Sequence, residues 1–114
     1  MDMTVADLGE AAREVALSGR LDMAGVDRIE AKFNAAAISN GQPLLLDLGS
    51  VEFVSSLGVR MLITTAKAMR QRALPFVTHV PAGPVREMLT VAGIDSLIPM
   101  FETLEEARAT ILRR

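Results

Sequence analysis

The amino-acid sequence predicts an α/β domain in which a mixed, mostly parallel sheet is faced by helices. Two observations support this prediction. Short apolar runs alternate along the chain with longer segments whose apolar residues recur every three or four positions, a pattern typical of strands alternating with helices. Turn residues are spread evenly, without a linker or an internal repeat. We therefore expect residues 1–114 to form a single domain.

The first predicted elements are two short strands, over Met3–Leu8 and Arg13–Leu17. The intervening Gly9–Ala12 suits a hairpin loop, so we expect this pair to be antiparallel.

A helix is predicted over Ala24–Ser39, because apolar residues at spacings of three and four form one stripe along it. Asp22 stands just ahead of this helix and is a candidate N-cap. The dipeptide Asn40-Gly41 is a strong stop signal.

The middle of the chain predicts a buried strand followed by a second helix. Pro43–Leu48 is a short apolar run bounded by glycine and proline, which indicates a central strand covered on both faces. The next helix should begin at Ser55 or Ser56 and continue to about Gln71.

Four further elements complete the prediction. They are a strand over Pro75–His79, a short helix over Gly83–Val91, a strand over Leu97–Phe101 and a last helix over Thr103–Leu112 that opens with the capping box Thr103-Leu-Glu-Glu106. The total is about four to five strands and about four helices, and the N-terminal hairpin adds antiparallel pairing at one end of the sheet.

Composition excludes several classes of function. The formal charge is −2, and a surface that binds nucleic acid normally needs a basic excess. The chain has no cysteine and one histidine, which excludes a disulfide, a thiolate nucleophile, cysteine-ligated zinc and a histidine-rich metal site. No apolar stretch approaches the roughly 20 residues that span a bilayer, and the acidic start of the chain does not resemble a signal peptide. We expect a cytoplasmic protein that does not insert into membranes and carries no cofactor.

The pair Ser55-Ser56 supports two compatible interpretations. A serine at a helix N-terminus commonly accepts a hydrogen bond from a free backbone N–H group and stabilises the helix by about 1 kcal/mol. The same position also tolerates an anion, because the helix dipole places partial positive charge there. A phosphoserine could therefore change the surface without unfolding the domain.

The segment Asp47-Leu-Gly-Ser-Val-Glu-Phe-Val-Ser-Ser-Leu-Gly-Val-Arg60 resembles the core motif of STAS domains, the family of bacterial anti-sigma factor antagonists. Ser18-Gly-Arg-Leu-Asp22 resembles the Gly-x-Leu-Asp segment of the family, and Val85–Ala107 resembles its C-terminal part. The resemblance covers nearly the whole chain in the right order. It implies a STAS-like fold, which agrees with the element order predicted from the residues.

The resemblance also implies a mechanism of partner switching. The unphosphorylated domain would bind an anti-sigma factor that is also a serine kinase, the kinase would phosphorylate a serine at the start of a helix, and a serine phosphatase would reset the cycle. The family pattern places the phospho-acceptor at Ser56, with Ser55 as the second candidate. The partner-binding residues that the resemblance implies are Asp22, Ser55, Ser56, Leu57, Gly58 and Arg60.

Two positions depart from the family pattern and leave a second function open. Ser55 stands where many members carry an aspartate, and Leu57 replaces a small residue. The alternative is a STAS subunit of a stress-signalling scaffold or of a membrane transport complex, without a phosphorylation cycle. An enzyme is not expected. Val54–Gly58 lacks the glycines of the Gly-x-Ser-x-Gly nucleophile elbow, and His79 has no partner motif that would favour catalysis over a structural role.

Overall fold

The fold, seen in a computed structural model that describes residues 1–113, is built on one five-stranded sheet with the strand order β1-β2-β3-β4-β5. β1 pairs antiparallel with β2, and the other three pairings are parallel. The mixed, mostly parallel sheet with an N-terminal hairpin is thus confirmed. The strands are β1 (Asp2–Leu8), β2 (Ala12–Leu21), β3 (Leu44–Val54), β4 (Phe76–His79) and β5 (Met100–Phe101).

Four α-helices connect or follow the parallel strands, as the alternating pattern predicted. α1 to α3 each lie between two successive parallel strands, and α4 follows β5. A parallel connection needs such a crossover, because the chain must return to the same end of the sheet before the next strand begins. The helices are α1 (Met23–Phe33), α2 (Ser56–Gln71), α3 (Pro84–Val91) and α4 (Leu104–Leu112). None of them is long and apolar enough to cross a lipid bilayer.

The alternation of side chains along β3 divides the core into two clusters. Leu44 and Leu46 belong to a large cluster with α1, α2 and α3, whereas Leu45 belongs to a small cluster with α4. Successive side chains of a strand point to opposite faces of a sheet. α1, α2 and α3 therefore cover one face, and α4 covers the other.

α4 packs on its face of the sheet over the beginnings of the parallel strands. Its Ala107 and Ile111 are buried against Ala12, Leu45 and Val77. On the same face, Arg108 of α4 binds both carboxylate oxygens of Glu14 in β2, at 2.7 and 2.9 Å.

β2 and β3 are longer than predicted, which corrects the expected ends at Leu17 and Leu48. The two strands pair beyond those residues through Ser18↔Ser50 and as far as Leu21↔Val54, with two register shifts. Gly19 and Gly49 lie just beyond the expected ends, and glycine is disfavoured within strands. The extended pairing supplies backbone hydrogen bonds on both sides of them, and this non-local contribution outweighs a weak local preference.

Two other predicted boundaries also change. The helix expected over Ala24–Ser39 is α-helical as far as Phe33 and continues as a π-helical turn over Asn34–Ile38, in which the Ser39 N–H donates to the Asn34 carbonyl at 3.1 Å. The strand expected over Leu97–Phe101 is reduced to Met100–Phe101. The N–H groups of Leu97 and Ile98 donate to the Ile94 carbonyl and so continue the turn at Ile94–Ser96.

Candidate functional site

The candidate site lies where β2 and β3 end side by side. Leu21 and Val54 are register partners at the carboxyl ends of these parallel strands. A helix begins directly after each of them, with Asp22 as the N-cap of α1 and Ser55 as the N-cap of α2. The topology therefore brings two helix N-termini, and the two sequence segments that resembled the STAS motifs, to one edge of the sheet.

Ser55 ties the start of α2 to the end of β2. Its hydroxyl accepts a hydrogen bond from the Gly58 N–H at 3.3 Å and donates one to the Leu21 carbonyl at 3.0 Å. Its backbone N–H donates to the same carbonyl at 2.9 Å. The hydroxyl thus has both its donor and its acceptor function occupied within the domain.

Ser56 is the first residue of α2 and is exposed. Within residues 1–113 its hydroxyl makes no hydrogen bond, and the capping hydroxyl belongs to Ser55. The sequence left the start of the helix open between Ser55 and Ser56, and the structure assigns the cap to Ser55. The cap must leave the helical conformation, and it is Ser55 that has extended backbone angles, with φ −85° and ψ 175°.

Asp22 is the N-cap of α1, as predicted. One carboxylate oxygen accepts a hydrogen bond from the Gly25 N–H at 2.9 Å. This hydrogen bond is the main cause that holds the pKa of the Asp22 carboxyl below its ordinary value, and the neighbouring Arg20 acts in the same direction. Asp22 is therefore negatively charged at neutral pH and presents that charge close to Ser55, which binds the backbone of Leu21.

Two glycines allow both helices to begin tight against β2. A Cβ atom at Gly58 would lie 2.7 Å from the Leu21 carbonyl oxygen, and one at Gly25 would lie 2.1 Å from the Arg20 carbonyl oxygen. Neither distance is compatible with a side chain, so a larger residue would move the helix. Gly58 is itself buried, and its structural contribution is to let α2 begin close to β2.

Leu57 and Arg60 complete the set of partner-binding residues expected from the sequence. Leu57 is half-buried and packs against the large core cluster. Arg60 is exposed on α2, one turn beyond Ser56. The six residues of the predicted set therefore lie around the carboxyl ends of β2 and β3. Beside them lies Met23, whose exposure of 63% adds an apolar patch that the sequence pattern did not single out.

Arg20 and Phe53 are two further residues at this edge that sequence reasoning did not select. They are register partners on β2 and β3, and the guanidinium carbon of Arg20 lies 4.5 Å from the centre of the Phe53 ring. The Arg20 Nε lies 3.4 Å from the second carboxylate oxygen of Asp22. Only the register of the two strands brings them together, so no local pattern could have indicated the contact.

The other polar cluster, around His79, fits a structural role. The His79 Nδ1 lies 2.8 Å from a carboxylate oxygen of Asp47, and the Nε2 lies 3.2 Å from the Glu102 carbonyl. The same carboxylate oxygen accepts from the Gly49 N–H at 2.8 Å. These contacts tie β3 and β4 to the turn before α4. No group of three metal-ligating side chains occurs in the part of the chain that the structure describes.

A family model described as "Mlab, STAS domain" matches residues 4–99. The chain belongs to the STAS domain family. The match spans the motif at Asp47–Arg60 and both helix N-termini of the candidate site, and it confirms the family that the sequence resembled.

Two individual proteins are also similar to this chain along most of its length. BtrV of Bordetella bronchiseptica is 30% identical over 93 residues, which cover 82% of this chain and 80% of BtrV. RsfB of Mycobacterium tuberculosis, named an anti-sigma-F factor antagonist, is 27% identical over 105 residues, which cover 92% of this chain and 84% of RsfB.

A solved structure is also similar along nearly the full length. The crystal structure of an anti-sigma factor antagonist from Mycobacterium paratuberculosis superposes with a TM-score of 0.87 at 26% identity. The superposition covers 99% of this chain and 94% of that protein. The STAS-like fold that the resemblance implied is therefore confirmed.

Proposed function

We propose that this chain is an anti-sigma factor antagonist that binds an anti-sigma factor with serine kinase activity, and that Ser56 is the residue phosphorylated by that kinase. The names of RsfB and of the similar protein from Mycobacterium paratuberculosis support the role of anti-sigma factor antagonist, and the kinase activity of the partner is what the resemblance to the family implies. The single observation that supports Ser56 as the phosphorylated residue is the difference between two adjacent serines.

Ser55 and Ser56 differ in what their hydroxyls already do. The Ser55 hydroxyl is engaged by Leu21 and Gly58, so a kinase would have to break both hydrogen bonds to reach it. The Ser56 hydroxyl is exposed and makes no hydrogen bond within residues 1–113. Ser56 therefore offers an acceptor that a kinase can reach without disturbing the attachment of α2 to β2.

A phosphate on Ser56 would change the surface while leaving the domain folded. It would add a charge of about −1.5 to −2 at a helix N-terminus, where the dipole favours anions. Its charge would add to that of Asp22, which caps the neighbouring helix, and the edge would become more negative. A partner surface that fits a neutral hydroxyl beside one carboxylate would then be repelled, and a phosphatase would restore binding.

The first experiment tests the acceptor. The purified chain is incubated with magnesium, ATP and each serine-kinase anti-sigma factor encoded in its source genome, and phosphorylated sites are located by mass spectrometry. We expect one phosphate on the wild type, none on Ser56→Ala and one on Ser55→Ala. Phosphate that persists on Ser56→Ala and disappears from Ser55→Ala would assign the acceptor to Ser55 instead.

The second experiment tests the switch by calorimetric titration of the kinase with unphosphorylated variants. We expect Ser56→Asp to weaken binding strongly, whereas Ser56→Asn, which is similar in size and uncharged, should weaken it much less. If no kinase phosphorylates the chain and Ser56→Asp binds as the wild type does, the cycle is absent. That result would favour the other candidate, a STAS subunit of a signalling scaffold or of a membrane transport complex.

A further inference from the structure

The face of the sheet that carries α4 is not fully covered, and its open end lies next to Ser56. Leu21 and Val54 point into the large core cluster under α1, α2 and α3. Arg20 and Phe53, one position earlier on the same paired strands, must therefore point to the opposite face. On that face α4 is buried against Leu45 and its neighbours near the strand beginnings. Accordingly Arg20 is exposed and Phe53 is only half-buried.

Two contacts hold the Arg20 side chain in one orientation. Its guanidinium lies over the Phe53 ring at 4.5 Å from the ring centre, within the distance at which a cation is attracted to an aromatic face. Its Nε faces the Asp22 carboxylate at 3.4 Å. Arg20 nevertheless keeps 58% of its side-chain surface exposed, so it is oriented without being enclosed.

The outer part of this guanidinium remains available. An arginine has five N–H donors in a planar fork. Within residues 1–113 the Nε makes the one hydrogen bond of the Arg20 side chain, to Asp22. Within residues 1–113 the two terminal nitrogens make no hydrogen bond. A planar fork that is already oriented matches a carboxylate with two parallel hydrogen bonds and loses little side-chain entropy on binding.

We propose that Arg20, held by Phe53 and Asp22, receives a carboxylate side chain of the anti-sigma factor and so extends the recognition surface from Ser56 onto the open sheet face. This inference rests on the proposed function. The carboxylate is indicated by charge, because the exposed group is a cation. Within residues 1–113 its one ion-pair partner is Asp22, which also caps α1. Arg20 is therefore a contact residue that supplements the serine switch.

The test measures the affinity and dissociation rate of the unphosphorylated variants for the anti-sigma factor that binds the wild type in the experiments above. We expect Arg20→Gln to weaken binding roughly tenfold or more, mainly through faster dissociation. Arg20→Lys should lose most of the same affinity, because lysine keeps the charge but cannot form the fork. Phe53→Leu should lose about two- to fivefold, because the arginine loses the ring that orients it.

A matched control separates the Arg20 contact from a general effect of charge. Arg70 is exposed in the last turn of α2, at the opposite end of that helix from Ser56. Arg70→Gln changes the net charge equally and should leave the affinity nearly unchanged. An equal loss from both variants, or full affinity in Arg20→Lys, would overturn the proposed fork contact.

A second comparison tests whether Arg20 acts only by supporting Asp22. Arg20→Gln is also measured in an Asp22→Asn background, where the ionic contact between them is already absent. We expect Arg20→Gln to weaken binding there as well. If the double variant binds as Asp22→Asn does, Arg20 makes no contact of its own and the inference fails while the proposed function stands. If the wild type binds no anti-sigma factor, both fail.

Discussion

Replacement of Gly58 by alanine tests how the start of α2 is held against β2. Gly58 is the third residue of α2, and its N–H donates to the capping hydroxyl of Ser55. A Cβ atom there would lie 2.7 Å from the Leu21 carbonyl oxygen and 2.9 Å from a methyl carbon of Val54. The Leu21 oxygen cannot move aside freely, because it accepts two hydrogen bonds from Ser55.

The expected magnitude is the balance of two opposing effects. Insertion of a methyl group into a packed contact typically costs about 1–3 kcal/mol. Alanine regains up to about 1 kcal/mol over glycine through its higher helix propensity. The clash involves backbone that is itself fixed, so we expect a net loss of about 1–2 kcal/mol in the free energy of unfolding. For a chain of this size that loss lowers the Tm by about 4–8 °C.

Urea unfolding followed by far-UV circular dichroism measures this difference, and a thermal melt checks it. Thr64→Ala is the matched control, because Thr64 is exposed on the same helix and alanine there should be neutral or slightly stabilising. Equal or greater stability of Gly58→Ala would refute the reasoning. It would mean that α2 starts far enough from β2 to accept a side chain.

Two further predictions concern the same measurements at other positions. Ala73 occupies the left-handed position after α2, with φ 55°, inside a C-terminal motif in which the N–H groups of residues 73 and 74 donate back to the helix. Ala73→Gly should therefore raise the free energy of unfolding by up to about 1 kcal/mol. Ala31→Gly, at an exposed position within α1, should lower it by about that amount. A loss of stability in both variants would contradict this prediction. The lowered pKa of Asp22, caused first by the Gly25 N–H, stabilises the fold above the unfolded-state pKa of about 3.9, and this stabilisation is lost as the pH falls through the folded-state pKa. Urea titrations between pH 3 and pH 7 should show the advantage over Asp22→Asn shrinking below about pH 4, and a constant difference would contradict the assignment.

Much of the fold could be predicted because its signals are local. The periodicity of α2, the capping residue Thr103 and the apolar run Leu44–Leu48 each depend on neighbours within a few positions. The structure confirms them, including the Thr103 hydroxyl, which accepts from the Glu106 N–H at 3.2 Å. The lengths of β2 and β3 depend on pairing between segments about 30 residues apart, and this pairing is not visible in either segment alone.

The candidate site divides in the same way. The pair Ser55-Ser56 at a helix start, and Asp22 before another, could be identified from the sequence and its resemblance to STAS domains. The sequence does not show which serine caps the helix. That choice depends on a hydrogen bond from the Ser55 hydroxyl to the Leu21 carbonyl, which lies 34 positions earlier in the chain. The contact between Arg20 and Phe53 likewise exists only because of the register of two strands.

By itself, the sequence determined the order of strands and helices, the family, and the short segment in which a switch could lie. Periodicity and capping depend on residues within one or two helical turns of each other, so a short stretch of sequence is enough to recognise these features. The tertiary structure alone decided that Ser55 is bound to β2 while Ser56 stays exposed, and that Arg20 is oriented beside them. Both outcomes depend on groups that folding brings together from distant parts of the chain. Ser55 and Ser56 carry the same side chain, and they differ because the Ser55 hydroxyl donates a hydrogen bond to the distant Leu21 carbonyl.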